Sequence, residues 1–303
     1  MTAWMPLLSI PVERTLSASL GAPDWQLSHD NVSWLHRSLD PEILKSVVER
    51  DTFPIPATVD REGYHGDRHL DYWLSGYLDF CQLRQTFETY SGRRLSDATV
   101  FDWGCASGRV LRHFAYQTED VRCFGVDVKH AHCRWIRENL DRKVVAVPVT
   151  ILPTLPFPDR QFDLVYGFSV LTHIGEFDTT WISELSRITK SDGLICVTIL
   201  GDSAWKKMRP GFIPYDAMDR IKEHFDEPFD FSPDFFENTP LTRFYIEWSR
   251  LHPVYNCTGF HSHDYIRKHW GSIADIVAII PEAHEYQDLV VLRPKGHRRN
   301  TPA

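Results

Sequence analysis

The sequence predicts an α/β protein built on a mostly parallel sheet, and three observations carry that reading. Short apolar runs near residues 98–102, 121–126, 144–149, 162–168 and 194–200 alternate with stretches of helical pattern. Alternation of this kind implies parallel strands joined by right-handed helical crossovers, with helices on both faces of the sheet. The turn after the first run, Asp102-Trp103-Gly104-Cys105-Ala106-Ser107-Gly108, consists mostly of small residues and leads into a helical stretch from Arg109. Two late runs, 273–280 and 287–293, are joined by a short link containing Pro281, which permits an antiparallel pair.

Taken in chain order, residues 1–60 are proline-punctuated and aromatic, with one predicted helix from Pro41 to Arg50. Asp40 is its expected cap and Pro41 its first helical residue. A segment from Gly63 contains Tyr72 and Trp73 and precedes a predicted helix from Tyr77 to Tyr90. After the five alternating runs the pattern stops at Leu200. Residues 201–272 are rich in aromatics, prolines and acids, and read as an insertion between the fifth and sixth strands. The expected organisation is an N-terminal helical extension over 1–95, a core over 96–200, the insertion over 201–272, and C-terminal strands and tail over 273–303. The tail from Pro294 is basic.

Composition narrows the function classes. The chain has 303 residues, 43% of them hydrophobic, enough for one large α/β domain with elaborations. No apolar run reaches membrane-spanning length, and the N-terminus lacks the basic-then-apolar order of a signal peptide. The six cysteines are scattered without Cys-x-x-Cys spacing, so reduced, mostly buried thiols in a cytoplasmic protein are expected. A net charge of −8 argues against nucleic acid as a partner.

The small-residue turn lets the main chain approach a ligand closely, and the helix after it offers unpaired N–H groups. A dinucleotide fingerprint runs Gly-x-Gly-x-x-Gly, whereas here the order is Gly104-x-Ala106-x-Gly108. The second apolar run ends in Asp127, an acid placed to accept hydrogen bonds from both hydroxyls of a ribose. The turn and the acid together fit a nucleoside without a pyrophosphate.

These segments resemble successive motifs of the class I S-adenosylmethionine-dependent methyltransferases, of the bacterial small-molecule and glycan type. The motifs are Phe101–Arg109, Gly125-Val126-Asp127-Val128, Leu155–His173 and Trp181–Ile195, in the family's order. The likeness covers residues 98–200 well and the C-terminal strands more loosely. It implies a Rossmann-like seven-stranded sheet with an antiparallel last strand, and S-adenosyl-L-methionine as cofactor. The resemblance puts the methionine end against Asp102, Gly104, Cys105, Ala106, Ser107 and Gly108, and the ribose on Asp127. Val128 and Val149 would flank the adenine, with Thr150 the only polar residue offered there. Gly167, Phe168 and Ser169 would face the methionine moiety. Tyr72 and Trp73 are lid candidates, the alternative being that they pack an N-terminal helix on the sheet.

Methyl transfer from a sulfonium is an in-line displacement, and a hydroxyl acceptor must lose its proton as it attacks. His173, His261 and His263 are the candidate bases. The structural alternatives are that His173 holds the following helix and that His263 sits at a helix cap built from Ser262 or Asp264. No metal site is expected: His130 and His132 begin a predicted helix, where residues two apart diverge, and a solvated helix face explains them. The insertion offers Trp205, Tyr215, Phe225, Phe229, Phe231, Phe235, Phe236, Tyr245, Trp248 and Tyr255 as an apolar wall for a substrate. A separate hydrophobic cluster or a homodimer interface would account for them equally.

The leading expectation is O-methylation of a small-molecule or glycan acceptor, in polysaccharide or secondary-metabolite assembly. The alternatives are a non-catalytic scaffold that binds the nucleoside, and a nicotinamide-dependent oxidoreductase. The glycine spacing and the lack of a hydride-transfer Ser/Tyr/Lys set count against the oxidoreductase.

Overall fold

The computed structural model describes residues 50–117, 121–227, 229–248 and 257–295. The expected helix from Pro41, Tyr255 of the aromatic list and the tail beyond Lys295 lie outside them. Seven strands form one sheet in the order β3-β2-β1-β4-β5-β9-β8, and β6 and β7 form a separate pair. The chain divides into two compact units, Met1–Val149 and Thr150–Ala303.

In the first unit, a 3-10 turn at Thr58–Arg61 precedes α1 (His69–Ser91). Then follow β1 (Thr99–Trp103), α2 (Leu111–Gln117), β2 (Arg122–Asp127), α3 (His130–Asn139) and β3 (Val144–Pro148). The strands are parallel, with Asp102 opposite Gly125 and Asp127 opposite Pro148. All five residues of β1 are buried, as expected of a parallel strand covered on both faces.

Helix α1 starts eight residues before its expected position at Tyr77, because Gly76 is a contact point and not a breaker. A Cβ on Gly76 would lie 2.1 Å from the Arg109 carbonyl oxygen, so only glycine lets α1 lie against the chain at Arg109. The helix ends at Gly92, whose φ of 70° is the left-handed cap glycine tolerates, and Gly92 N–H donates to Glu88 O at 3.1 Å.

A buried knot ties residues 51–54 to both helices. Asp51 is fully buried and accepts from Arg112 Nε at 2.9 Å, Arg112 Nη2 at 3.1 Å and Trp73 Nε1 at 2.6 Å. Arg112 also donates to the carbonyls of Phe53 and Pro54 at 2.8 and 3.0 Å. Every strong donor of this guanidinium therefore has a partner, which a buried charge requires.

In the second unit, β4 (Phe162–Gly167) is followed by α4 (Asp178–Ile188) and β5 (Thr189–Ile199). The turn expected between helix and fifth strand is an exposed bulge inside β5: Thr189 pairs with Phe162, Leu194 with Leu164, and Ser191 and Asp192 loop out. Helices α5 (Asp202–Lys206), α6 (Ile213–Asp219) and α7 (Pro233–Asn238) precede β6 (Arg243–Glu247) and β7 (Cys257–His261). Helix α8 (His263–His269) then leads to β8 (Ala274–His284) and β9 (Gln287–Pro294). Strand β9 runs antiparallel to both β5 and β8, as the shortness of the link implied, but Pro281 falls inside β8 at an irregularity in the register and the turn is at Glu285 and Tyr286.

The aromatics of 201–272 pack mainly on each other. Trp205, Tyr215, Phe236 and Trp248 are buried in a shared core, with Phe225, Phe229, Phe231 and Phe235 partly buried against it. Trp205 and Phe236 meet edge to face at 4.8 Å, and the indole donates to Thr239 O at 2.8 Å.

All six cysteines are free thiols, five of them buried. Among the described residues no helix is long and apolar enough to cross a membrane.

Candidate active site

The first unit gathers the predicted nucleoside residues at the carboxyl ends of β1 and β2. The loop after β1 closes onto β2 because the N–H groups of Gly104 and Cys105 both donate to Val126 O at 2.9 Å. Gly104, Ala106 and Gly108 have positive φ of 78°, 45° and 78°. Ala106 is the exception for a residue with a Cβ, and it is held there by a bond from its N–H to Asp127 Oδ2 at 2.9 Å. Asp127 Oδ1 accepts from Lys129 N–H at 2.8 Å.

Asp127 is 5% exposed and Asp102 4% exposed. A carboxylate offers about four acceptor positions, so Asp127 keeps capacity for further donors after its two main-chain bonds. Val128 and Val149 are half-buried beside it, and Val149 N–H donates to Asp127 O at 2.9 Å. The main chain must run close here: a Cβ on Gly125 would meet Cys105 at 2.9 Å, and one on Gly108 would meet Leu140 at 2.9 Å.

Two corrections belong to this site. The solvated face expected for His130 and His132 holds for His130 alone. His132 is 4% exposed, with Nδ1 3.5 Å from Asp127 Oδ1 and Nε2 3.8 Å from Glu62 Oε1. Burial disfavours its charged ring, but the attraction of the Asp127 carboxylate, with Glu62 behind it, outweighs burial and raises its pKa. The sequence signal was available: an i+5 histidine after the strand-end acid falls on the first turn of α3, facing back toward that acid. The second correction concerns Trp73. It is fully buried and bonded to Asp51, so its ring belongs to interior packing and not to a lid. Tyr72 is also buried, and its hydroxyl has no hydrogen-bond partner.

The sequence gave no role to residues 57–66, which lie against this loop. Ser107 Oγ donates to Asp60 O, and Lys129 Nζ donates to Glu62 Oε1. Glu62 and His65 hold left-handed conformations, with φ of 56° and 61°.

The second unit holds the remaining predicted residues. Ser169, just past the end of β4, has a φ of 58°. Its N–H donates to Thr198 Oγ1 at 2.7 Å, Thr198 donates to Gln287 Oε1 at 2.7 Å, and Gln287 Nε2 donates to Ser169 Oγ at 2.7 Å. This closed polar ring fixes Ser169 beside buried Gly167 and half-buried Phe168. Thr150 is exposed, and its hydroxyl accepts from Leu152 N–H at 3.3 Å.

The three histidines differ sharply. His173 is half-buried, with Nδ1 3.1 Å from Cys257 O. His261 is fully buried near Asp178 and Tyr245, and burial lowers its pKa to about 4 even with Asp178 pulling the other way. His263 keeps 20% of its side chain exposed, and its Nε2 lies 2.6 Å from Oδ2 of the fully buried Asp288. Its Nδ1 is 3.6 Å from Asp202 Oδ2. The cap of α8 is Ser262, whose hydroxyl accepts from Tyr265 N–H at 3.0 Å, so His263 is not needed for that task. Among the described residues no group of three or more His, Cys, Asp or Glu could hold a metal ion.

Residues 101–197 match the family described as methyltransferase domain. A malonyl-[acyl-carrier protein] O-methyltransferase of Geobacter sulfurreducens is 28% identical over 137 residues, 42% of this chain and 50% of the relative. The chain thus spans about half the length of that curated relative. A 1,6-didemethyltoxoflavin-N1-methyltransferase of Burkholderia thailandensis, solved with S-adenosylhomocysteine, shows 13% identity and a TM-score of 0.48, covering 85% of this chain and 92% of its own. A Pyrococcus horikoshii protein shows 15% identity and a TM-score of 0.46, covering 80% and 97%. The likeness to a methyltransferase domain thus falls on residues 101–197, which hold the loop after β1 and Asp127.

Proposed function

We propose that the chain is an S-adenosylmethionine-dependent methyltransferase acting on an oxygen of a small-molecule or glycan acceptor. The observation that carries this reading is the joint geometry of the Gly104–Gly108 loop and Asp127, tied by the Ala106–Asp127 bond. A carboxylate held at a strand end with spare acceptor capacity suits a ribose diol. Bound there, S-adenosylmethionine would supply a methyl group activated for in-line displacement. Asp127 would orient the nucleoside, and the loop's main chain would exclude water on that side.

His263 is the residue best suited to take a proton. Asp288 orients it through Nε2 and supports the imidazolium, which leaves Nδ1 as the atom that accepts. His261 is too deeply buried and too weakly basic, and His173 has a main-chain carbonyl at Nδ1 where His263 has a carboxylate to support the charged ring. The relative named for O-methylation is in line with an oxygen acceptor. Residues 201–272 are proposed to select it, through the half-buried aromatics that flank their own core.

A methyl-transfer assay with hydroxyl, carboxyl and amine acceptors, read by mass spectrometry, tests this reading. Methylated hydroxyl or carboxyl products that vanish in His263→Gln are expected. Transfer to amines alone, undiminished in that variant, would overturn the oxygen acceptor and the base together.

A further inference from the structure

His132 lies between two carboxylates that come from different parts of the chain. Asp127 ends β2, with Oδ1 3.5 Å from the ring's Nδ1, and Glu62 precedes α1, with Oε1 3.8 Å from Nε2. The ring is 4% exposed, and Nδ1 is buried without a hydrogen bond. Glu62 is held from a second side, because Lys129 Nζ donates to the same Oε1. Its φ of 56° is a conformation that a residue with a Cβ adopts at a cost. Two residues earlier, Asp60 O accepts from Ser107 Oγ, so the segment carrying Glu62 also touches the loop after β1.

The protonation state of the ring decides how many carboxylates it can hold. A neutral imidazole has one N–H and donates to Asp127 or to Glu62, whereas the cation has two and donates to both. Burial opposes the charge, but Asp127 and Glu62 outweigh it even with Lys129 acting against them, so the pKa lies above its ordinary value. Helix α3 also packs on β3 and on the turn Thr58–Arg61. Strand β3 carries no ionisable side chain, Asp60 of the turn is exposed, and Arg61 donates to Gly66 O and His69. Arg109, next to Gly108 of the loop, is paired with Asp79.

We propose that His132 is a positioning residue for the nucleoside site: as a cation it latches Asp127 to Glu62 and so fastens the segment 57–66 to the carboxylate that would hold the ribose. The ribose role of Asp127 rests on the methyltransferase reading, whereas the latch does not. Ribose hydroxyls donating to Asp127 would bury its charge further and strengthen the demand for a cation beside it. Cofactor and proton then bind cooperatively, each raising the other's affinity by the same factor. The cation is present below the raised pKa of His132, so the latch is closed there and opens as pH rises through that value.

The test uses the full chain as wild type, His132→Gln and Glu62→Gln, between about pH 6 and about pH 9. Calorimetry gives the affinity for S-adenosylhomocysteine, hydrogen exchange corrected for its intrinsic pH dependence gives the protection of 57–66, and NMR of labelled histidine gives the His132 titration. Wild-type affinity is expected to fall by about 3- to 10-fold across that range, the worth of one hydrogen bond, with protection of 57–66 falling alongside. His132→Gln should lose both pH dependences and identifies the His132 signal by its disappearance. Glu62→Gln should lower the His132 titration with no ligand present, and S-adenosylhomocysteine should raise it in the wild type. A pH dependence retained in His132→Gln overturns the latch, as does a titration that neither Glu62→Gln nor S-adenosylhomocysteine moves. A loss of affinity in His132→Gln that is equal at every pH assigns the ring to packing and overturns it too. Wild-type protein that binds no S-adenosylhomocysteine at any pH defeats the methyltransferase reading, and the ligand-free titration and protection of 57–66 then decide the latch. Should His132→Gln fail to fold, Glu62→Gln, altered at a partly exposed side chain, reads the same loss of pH dependence.

Discussion

The carboxylate of Asp127 accepts the main-chain N–H of Ala106 at 2.9 Å, joining the end of β2 to the loop that follows β1. The bond holds a residue with a Cβ at a φ of 45°. It fixes the loop and the strand-end carboxylate as one unit, so that neither can shift without the other. Asp127→Ala is therefore expected to weaken S-adenosylhomocysteine binding by about 1–3 kcal/mol and to loosen the loop. Calorimetry checks the affinity, and hydrogen exchange at Ala106 checks the loop. Unchanged affinity would mean that the ribose is read elsewhere.

The Asp51–Arg112 knot predicts a stability effect. Asp51→Ala leaves a buried guanidinium without its carboxylate and is expected to cost about 3–5 kcal/mol. Urea unfolding monitored by tryptophan fluorescence measures this. A loss under about 1 kcal/mol would show that the carbonyls of Phe53 and Pro54 suffice for Arg112.

Gly201 offers a way to disturb His263 without altering it. A Cβ there would sit 2.0 Å from Asp288 Oδ2 and 3.2 Å from His263 Nε2. Gly201→Ala must displace the carboxylate, so turnover is expected to fall by about 10²–10⁴, as for loss of a general base. S-Adenosylhomocysteine affinity should hardly change. A parallel loss of both, with a lower melting temperature, would assign the pair to structure.

His261 predicts the acid side of the stability curve. Its folded pKa is about 4, against about 6.5 for a free histidine. Above pH 6.5 both states are neutral and the group has no effect. As pH falls from 6.5 to 4, the unfolded chain binds a proton that the folded chain excludes, so stability drops by about 3 kcal/mol in all. His132 acts oppositely: its raised pKa contributes stability at low pH that is lost as pH rises through the folded value. His261→Phe should flatten the loss of melting temperature between pH 6.5 and 4. An unaltered slope would show that His261 is protonated in the folded chain.

The fold was largely legible because strand periodicity, the small-residue turn and the short separation of the last two apolar runs are local signals. What escaped depends on tertiary approach. The helix was expected only from Tyr77, and the lack of a Cβ at Gly76 is what brings α1 against Arg109. The turn expected near Asp192 became a bulge because Thr189 already pairs with Phe162. The pairing of β6 and β7 was not foreseen, since both strands are short and nine positions separate them in the sequence. In the candidate site, Asp127 and the glycine loop could be read from spacing. The place of His132 on the first turn of α3 was legible in the same way, but its approach to Glu62, 70 positions earlier in the chain, was not.

The central claim is that the β1–β2 loop and Asp127 form a site for S-adenosylmethionine. Calorimetric titration of the full chain with S-adenosylhomocysteine and, separately, with NAD tests it most directly. Stoichiometric binding of S-adenosylhomocysteine, weakened in Asp127→Ala, with no heat from NAD, is the predicted result. Binding of NAD without binding of S-adenosylhomocysteine would contradict it.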